Sequence, residues 1–494
     1  MQPDIEQTRL RVSRETNATK KAQFGQFLTP QRIAAFMASL FPPAGGICRL
    51  LDAGAGIGSL SAAFLERWRA GNFQFQRVEL DAFEVDDSLH AELSRTFLQY
   101  RSESFSLHLH GDDFIHAAVS ALSGGLFSKA LQGYSHAILN PPYKKINSTS
   151  AHRLVLREIG IEAVNLYSAF VALSLALVIP GGHIVAIIPR SFCNGPYYRP
   201  FRDSILRQSA IRHLHLFNSR SKAFKDDDVL QENIIILLER GGRQESVTVS
   251  TSTDDTFADL TQHNYPFSRI VSPDDSERFI HVPTSPAPTS LELLPAIRHT
   301  LADVGISVST GPVVDFRVKD HLRDMPGSST VPMLYPCHFI GQSIRWPIEG
   351  MKKPNAIERN SATEKLLYPI GFYCLVRRFS AKEESRRIVA SVVEPATFGQ
   401  ASMLGLENHV NVFHEDKQGL PEPLARGLAL FLNTTAVDQQ FRQFNGHTQV
   451  NAADLKLMKY PSRNALIQLG LWAMQQKEAP TQAQIDSTLE TLAE

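Results

Sequence analysis

Asn140-Pro141-Pro142-Tyr143 stands directly after the apolar run Ala137-Ile138-Leu139. Prolines are poor residues inside a strand, and the residue ahead of a proline is pushed away from helical geometry. The pattern predicts a buried strand ending at Leu139 with a stiff corner at its C-terminal end. That corner offers the Asn140 side-chain oxygen and the Pro141 carbonyl as two fixed acceptors. An exocyclic amino group has two N–H donors to match them. When such a nitrogen attacks a methyl sulfonium it moves toward tetrahedral geometry and gains positive charge, and preorganised acceptors favour that change. Tyr143 supplies a face for stacking on a flat base. No general base with a tuned pKa is required, because the product ammonium can lose its proton to water. The bland reading of the tetrapeptide is a proline turn, so the rest of the chain decides.

A second constellation precedes it. Leu51-Asp52-Ala53-Gly54-Ala55-Gly56-Ile57-Gly58 joins a short apolar strand, Cys48 to Asp52, to a helix expected from Leu60 to Arg69. Glycines let backbone N–H groups approach a ligand and permit positive φ. The loop lacks the Lys and Ser/Thr of a phosphate-binding P-loop, and it is not the GxGxxG of dinucleotide sites. A carboxylate just ahead of the glycines, Asp52, repels a pyrophosphate but suits an ammonium. A ligand with an amino-acid tail, such as S-adenosylmethionine, meets that demand, with Gly54, Gly56 and Gly58 around it. A tight strand-to-helix connection is the alternative.

Glu84 closes a second expected strand, LDAFEVD, where doubly wound sheets place the carboxylate that holds ribose hydroxyls. It lies further downstream than the roughly 20 residues usual in dinucleotide folds, and the polar stretch RAGNFQFQRVEL is expected to form the longer connection. Asp86 is the runner-up, and a solvated acid is the bland reading of both. Asp113-Phe114 closes a third strand, FSLHLHGDDF. Asp113 suits the adenine amino group of the cofactor and Phe114 its ring, against a helix cap as the ordinary use of Asp there. Three acid-bearing strand ends on one sheet edge say more than any one of them.

The elements that position these residues alternate. Helices are expected at Asp86 to Tyr100 and Ala163 to Val178, and strands at HAILN, HIVAIIP and ENIIILLER, with Pro180-Gly181-Gly182 as a turn. Such alternation predicts an α/β fold, a Rossmann-like doubly wound parallel sheet. From Gln244 to Pro288 Ser, Thr, Asp and Pro become frequent; beyond, a helix is expected from Leu291, then short strands, loops and helices. The expected organisation is a catalytic α/β domain over 1–243, a connecting region over 244–290, and a mixed α+β domain over 291–494. A chain of 494 residues with 50 basic and 50 acidic side chains does not advertise a polyanionic partner by net charge. Cys48, Cys193, Cys337 and Cys374 form no metal or disulfide framework, and no run approaches the ~18 apolar residues of a membrane span. A reduced cytoplasmic setting without metal or membrane is expected. His108, His110 and His116 read as surface or strand histidines.

In order and content these motifs resemble the N6-adenine DNA methyltransferases of the gamma arrangement found in restriction-modification systems. FGQFLTP (24–30) resembles the family's N-terminal cofactor motif, LLDAGAGIGSL motif I, FEVD motif II, GDDF motif III and NPPY motif IV. NLYSAFVALSLALVIPGGHIVAIIP resembles motifs V and VI, and SKAFKDDDVLQENIIIL motif VIII. The resemblance is detailed over roughly residues 20 to 240. It implies S-adenosyl-L-methionine as cofactor, Thr29 and Pro30 lining its methionine end, and Phe224 packing on a flipped adenine opposite Tyr143. It implies double-stranded DNA as substrate and a recognition domain after the catalytic half, where NGHTQVNAADLKLMKYP (445–461) resembles the closing segment of such domains. VLQEN and STGPVVDFR resemble the BsuBI/PstI type, implying a palindromic hexamer, CTGCAG, methylated on adenine, and a separate cognate restriction endonuclease.

A base in a duplex must be flipped out at a cost of a few kcal/mol, and stacking on Tyr143 and Phe224 returns about 1–3 kcal/mol per aromatic contact. Basic clusters at Arg345, Lys352-Lys353, Arg377-Arg378 and Arg386-Arg387 suit phosphates, although interspersed acids make a mixed solvated surface an equal reading; His447 suits DNA contact or a structural use. Two other functions compete. A glutamine amide presents the same two N–H donors, so NPPY also suits a protein glutamine or RNA N-methyltransferase; the long C-terminal region argues against it. A non-catalytic DNA-binding defence subunit is disfavoured by the intact Asn140–Tyr143 and Asp52 motifs.

Overall fold

The computed structural model describes residues 5–15, 27–124, 131, 133–218, 232–273, 275–283, 294–380, 384–444 and 449–489. The chain divides into two compact units, 1–286 and 287–494.

The first unit is built on one nine-stranded sheet. Its strands are β1 (Gly45–Ala53), β2 (Gln74–Phe83), β3 (Phe105–His110), β4 (Tyr134–Leu139), β5 (Val178–Pro189), β6 (Ser209–Phe217), β7 (Asn233–Arg240), β8 (Val247–Ser252) and β9 (Thr261–Tyr265). They lie in the order β3-β2-β1-β4-β5-β7-β6-β8-β9. The central strands are apolar almost without interruption, as sheets covered on both faces must be. Leu51, Ala53, Ala137, Leu139, Ile184 and Ala186 enter one core, while Leu50, Ile138, Val185 and Ile187 enter the other. On the first face pack α5 (Phe114–Leu122), α7 (Leu166–Leu177) and α8 (Arg199–Gln208). On the second pack α2 (Gln31–Ser39), α3 (Ser59–Arg69) and α4 (Asp87–Leu98). The α1 helix (Ile5–Glu15) and the short α6 (Ala151–Glu158) complete the set used below.

The expected parallel sheet holds from β3 through β5. It then changes direction: β7, the ENIIILLER strand, runs antiparallel between β5 and β6. β6, SAIRHLHLF, has no counterpart in the expected elements, because its histidines and Arg212 make a strand buried everywhere but at Arg212 look polar. β2 starts at Gln74, so most of the expected polar connection is strand. Pro180-Gly181-Gly182 is no turn between elements: it lies within β5, where the register against β4 slips between Tyr134↔Val178 and His136↔His183. The segment 244–290, expected as a connection with some strand, contributes β8 and β9 to the sheet.

In the second unit, Ser307–Thr310, Val410–His414, Tyr373–Arg377 and Ala390–Val393 form an antiparallel sheet in that order. A mixed five-stranded sheet includes Thr330–Leu334 and Met403–Leu406. The expected helix from Leu291 does not occur over 294–300; a four-residue helix spans Leu301–Val304. Two helices, Glu422–Leu432 and Arg463–Gln475, meet backbone to backbone: a Cβ on Gly427 would lie 1.7 Å from the Leu466 carbonyl oxygen, and one on Gly470 1.7 Å from that of Pro423. Among the described residues no helix is long and apolar enough to cross a membrane, and all four cysteines are free thiols.

Burial sets the acid stability of the first unit. His215 is fully buried, sharing Ser250 Oγ with His213 at 2.8 and 2.7 Å. Burial lowers the pKa of His215 to about 3 and that of His213 to about 4. Against an unfolded value of roughly 6.5, each contributes stability that is complete above that value and is lost as pH falls toward the folded one. Between pH 7 and 5, wild type should lose about 2 kcal/mol more than His215→Gln, as read from urea unfolding midpoints at the two pH values.

Candidate active site

Strand register brings the motifs together. β1 pairs with β2 through Ala53↔Phe83 and with β4 through Leu51↔Ala137, so the loops after these strands open on one edge. The glycine loop is tied across this edge, with Gly54 and Ala55 N–H both donating to Phe83 O at 2.9 and 2.8 Å. A cleft there is lined by Gly54, Gly56, Glu84, Asp113, Phe114, Asn140 and Pro142, together with Phe27, Leu28, Val85 and Phe170. Thus seven of the residues singled out from the sequence share one concavity.

The corner is rigid on both sides. Asn140, half-buried, donates through Nδ2 to Phe27 O at 2.8 Å and to Thr29 Oγ1 at 2.9 Å. Its Oδ1 accepts from Tyr143 Oη at 3.1 Å. Pro141 is buried, and the chain beyond Tyr143 is pinned by Leu166 N–H to Lys144 O (2.8 Å) and Ile146 N–H to Val164 O (3.0 Å). The Tyr143 ring lies 5.7 Å from Phe27 and edge-on to Tyr167 at 6.2 Å. Burial pushes its phenol pKa up, so it is neutral near pH 7. Thr29 and Pro30 are buried and, unlike Phe27 and Leu28, do not line the cleft. Phe224 lies outside the described residues, as does His447.

The acids differ in state. Asp52 is fully buried at the end of β1; Ser61 Oγ donates to its Oδ2 at 2.5 Å, while Oδ1 has no partner. Burial raises its pKa to about 7. Glu84 accepts Gly56 N–H and Asp86 N–H, each at 2.8 Å, and burial raises its pKa too. Gly56 is fixed by two demands: its φ is +57°, and a Cβ there would lie 2.9 Å from Leu28 Cδ2. Gly58, the N-cap of α3, also has positive φ. Asp86, the runner-up to Glu84, caps α4 by accepting Ser88 N–H at 3.1 Å.

Asp113 lines the cleft and is the helix cap: its Oδ1 accepts Ile115 and His116 N–H at 2.9 and 3.1 Å at the start of α5. Its Oδ2 accepts from His152 Nε2 at 2.9 Å. Burial alone would raise the carboxyl pKa, but the His152 and His116 bonds hold it below the ordinary value. Asp113, His116 and His152 each offer a metal-ligand atom within 4.8 Å of the others; both Asp113 oxygens are already engaged by protein donors.

Sequence reasoning missed Phe27, Val85 and Phe170 as lining. A signal existed for Val85, an apolar residue directly after a strand-end acid, which is 49 % exposed. Phe27 stands in FGQFLTP, from which the family resemblance draws only Thr29 and Pro30.

This fold and cleft define a Rossmann-like methyltransferase unit, and the comparisons with known proteins agree. Residues 62–224 match the family model described as Eco57I restriction-modification methylase. The chain is 52 % identical over 476 residues to type II methyltransferase M.BsuBI of Bacillus subtilis, covering 96 % of this chain and 94 % of that protein. It is 42 % identical over 456 residues to type II methyltransferase M.PstI of Providencia stuartii, covering 91 % and 89 %. The chain belongs to the type II methyltransferases of restriction-modification systems, a family of DNA methyltransferases, and the resemblance read from its motifs is borne out. Among solved structures, the type IIL enzyme MmeI in complex with DNA shares the fold, at 10 % identity and a TM-score of 0.54, covering 98 % of this chain and 73 % of that one.

Proposed function

We propose that the protein transfers a methyl group from S-adenosyl-L-methionine to N6 of an adenine flipped out of a specific duplex DNA site. The observation that carries this reading is the half-buried Asn140 amide at the cleft, anchored by its nitrogen to Phe27 O and Thr29 Oγ1 so that its oxygen is held as an acceptor. The residues present fit the cofactor. Asp52 Oδ1, buried without a partner, suits the ammonium; Glu84 the ribose hydroxyls; Phe114 and Val85 the adenine ring; and Gly56 gives the close backbone approach. Asp113 accepts the cofactor's adenine amino group only in place of the bond from His152. The cofactor supplies an activated methyl group. Asn140 and Pro141 accept the two N–H groups of the target nitrogen as it becomes positive, and the proton leaves to water. Tyr143 stacks on the flipped base, with Phe224 assigned to its other face by motif alone. The first unit is then catalytic, the second reads DNA, and a separate nuclease is the partner whose cleavage the methylation blocks.

The test is tritiated S-adenosylmethionine with unmethylated plasmid, followed by nucleoside analysis. Label in N6-methyladenine supports the reading, and sequencing of modified sites gives the specificity. Label only in RNA or in protein glutamine defeats it.

A further inference from the structure

We propose that one end of the four-stranded sheet in the second unit is the surface that reads DNA sequence, with Phe316 and Phe379 as its aromatic contacts. This rests on the proposed function and deepens it. Register gathers the pieces: Thr310 pairs with Asn411, and Val410 with Arg377. The chain after Thr310, the chain before Val410 and the chain after Arg377 therefore emerge at the same end.

Those segments display what nucleic acid needs. Phe316 is 73 % exposed and Phe379 44 %, although apolar rings of this size are normally buried. Each has a polar neighbour on it. The Arg317 guanidinium lies 5.7 Å from the Phe316 centroid, and the His409 ring lies 4.8 Å from Phe379. The display is braced from beneath. Asp315 holds Phe316 N–H at 2.7 Å and is itself fixed by Lys353 Nζ at 2.7 Å. Fully buried Glu407 accepts His409 N–H at 2.9 Å. Its backbone lies so close to Gly311 that a Cβ there would be 2.2 Å from the Glu407 oxygen.

Charge selects the partner. Arg378 donates to two neutral oxygens, Asn408 O at 3.0 Å and Gln449 Oε1 at 3.3 Å, and has no ion pair among the described residues. Arg317 has no ion pair among the described residues. Of the acids at this end, Asp315 pairs with Lys353, Glu384 pairs with Arg377, and buried Glu407 is held against the His409 ring. Exposed rings flanked by arginines that have no ion pair among the described residues suit stacking on or wedging between bases beside phosphates. Not every basic cluster serves this face. Arg387 is buried with its N–H groups on Ser380 and Asp438, and Arg386 donates to Thr434 O, so both are structural.

The test uses the full-length protein and fluorescence anisotropy on labelled duplexes, one holding the methylated site and one with it scrambled. Phe316→Ala and Phe379→Ala should each weaken binding to the duplex that holds the site by about 10-fold or more, the cost of one lost stacking contact, and weaken the scrambled duplex less, because wedging depends on how easily the base step deforms. Arg317→Ala should weaken both duplexes alike and lower the salt slope by about one. Calorimetric S-adenosylmethionine binding at wild-type affinity shows that each variant is folded. Unchanged duplex affinity, site choice and salt slope in all three overturn the proposal and leave the face to a protein partner. If wild type methylates no DNA, the proposed function fails instead; affinity for a random-sequence duplex that the arginine variant does not reduce then overturns the surface as well.

Discussion

Asn140→Ala should lower methyl transfer to DNA by a factor of about 100 to 1,000, the usual cost of removing one preorganised partner of a developing charge. The amide has two jobs that the variant removes together. Its oxygen is the acceptor at the cleft, and its nitrogen holds Phe27 O and Thr29 Oγ1. Loss of the second job should weaken cofactor binding as well, but by far less, because Asp52, Glu84 and the glycine loop are untouched. Single-turnover transfer alongside calorimetric cofactor affinity separates the two effects. A variant that keeps more than a tenth of wild-type turnover would sink the assigned role. Tyr143→Phe sharpens the comparison: it removes the hydroxyl bonded to Asn140 Oδ1 while keeping the stacking face.

The second large effect concerns Asp52. Its pKa of about 7 lies well above the unfolded value of roughly 3.9. A raised folded pKa means stability that is complete below pH 4 and lost as pH rises through 7. Asp52→Asn should therefore be more stable than wild type at pH 8, by an amount on the order of 4 kcal/mol if the shift is fully expressed. The same variant should lose cofactor affinity by about 100-fold, because a buried charge left without its partner is what the ammonium would satisfy. Wild-type affinity should also rise with pH up to about 7 and then level off, with about half a proton released on binding at pH 7 and close to one below about pH 6. Urea unfolding at pH 5 and 8 and calorimetry in two buffers of different ionisation enthalpy measure all three. Equal stability of both proteins at pH 8, with equal cofactor affinity, would remove Asp52 from the site.

Much of this was legible in the chain because strand ends leave strong local marks. Asp52 before three glycines, Glu84 after an apolar run and the two prolines behind Asn140 each break a buried pattern abruptly, and all three fall on one edge. What was not legible depends on contacts across long separations. The reversed β7 reads like any other apolar strand, since direction leaves no trace in composition. β6 hid because His213 and His215 are buried on Ser250, a partner 35 or more residues away. Nothing near Asp113 announces His152, 39 residues on, as the donor to its second oxygen. In the second unit the basic pairs looked alike, and only burial separates Arg378 from Arg387.

The Asn140 amide joins two neighbours that belong to different ligands under the proposed function. Its nitrogen end holds the Phe27–Thr29 segment beside the methyl donor, and its oxygen end faces the target base. A group shared in this way makes the two binding equilibria interdependent, and thermodynamic reciprocity then fixes the relation between them. Whatever factor a non-reactive cofactor analogue adds to the affinity for a flipped adenine, the adenine adds to the affinity for the analogue. An enzyme wired like this favours assembling its ternary complex over holding either ligand alone, and flips bases most readily when a methyl group is ready to be delivered.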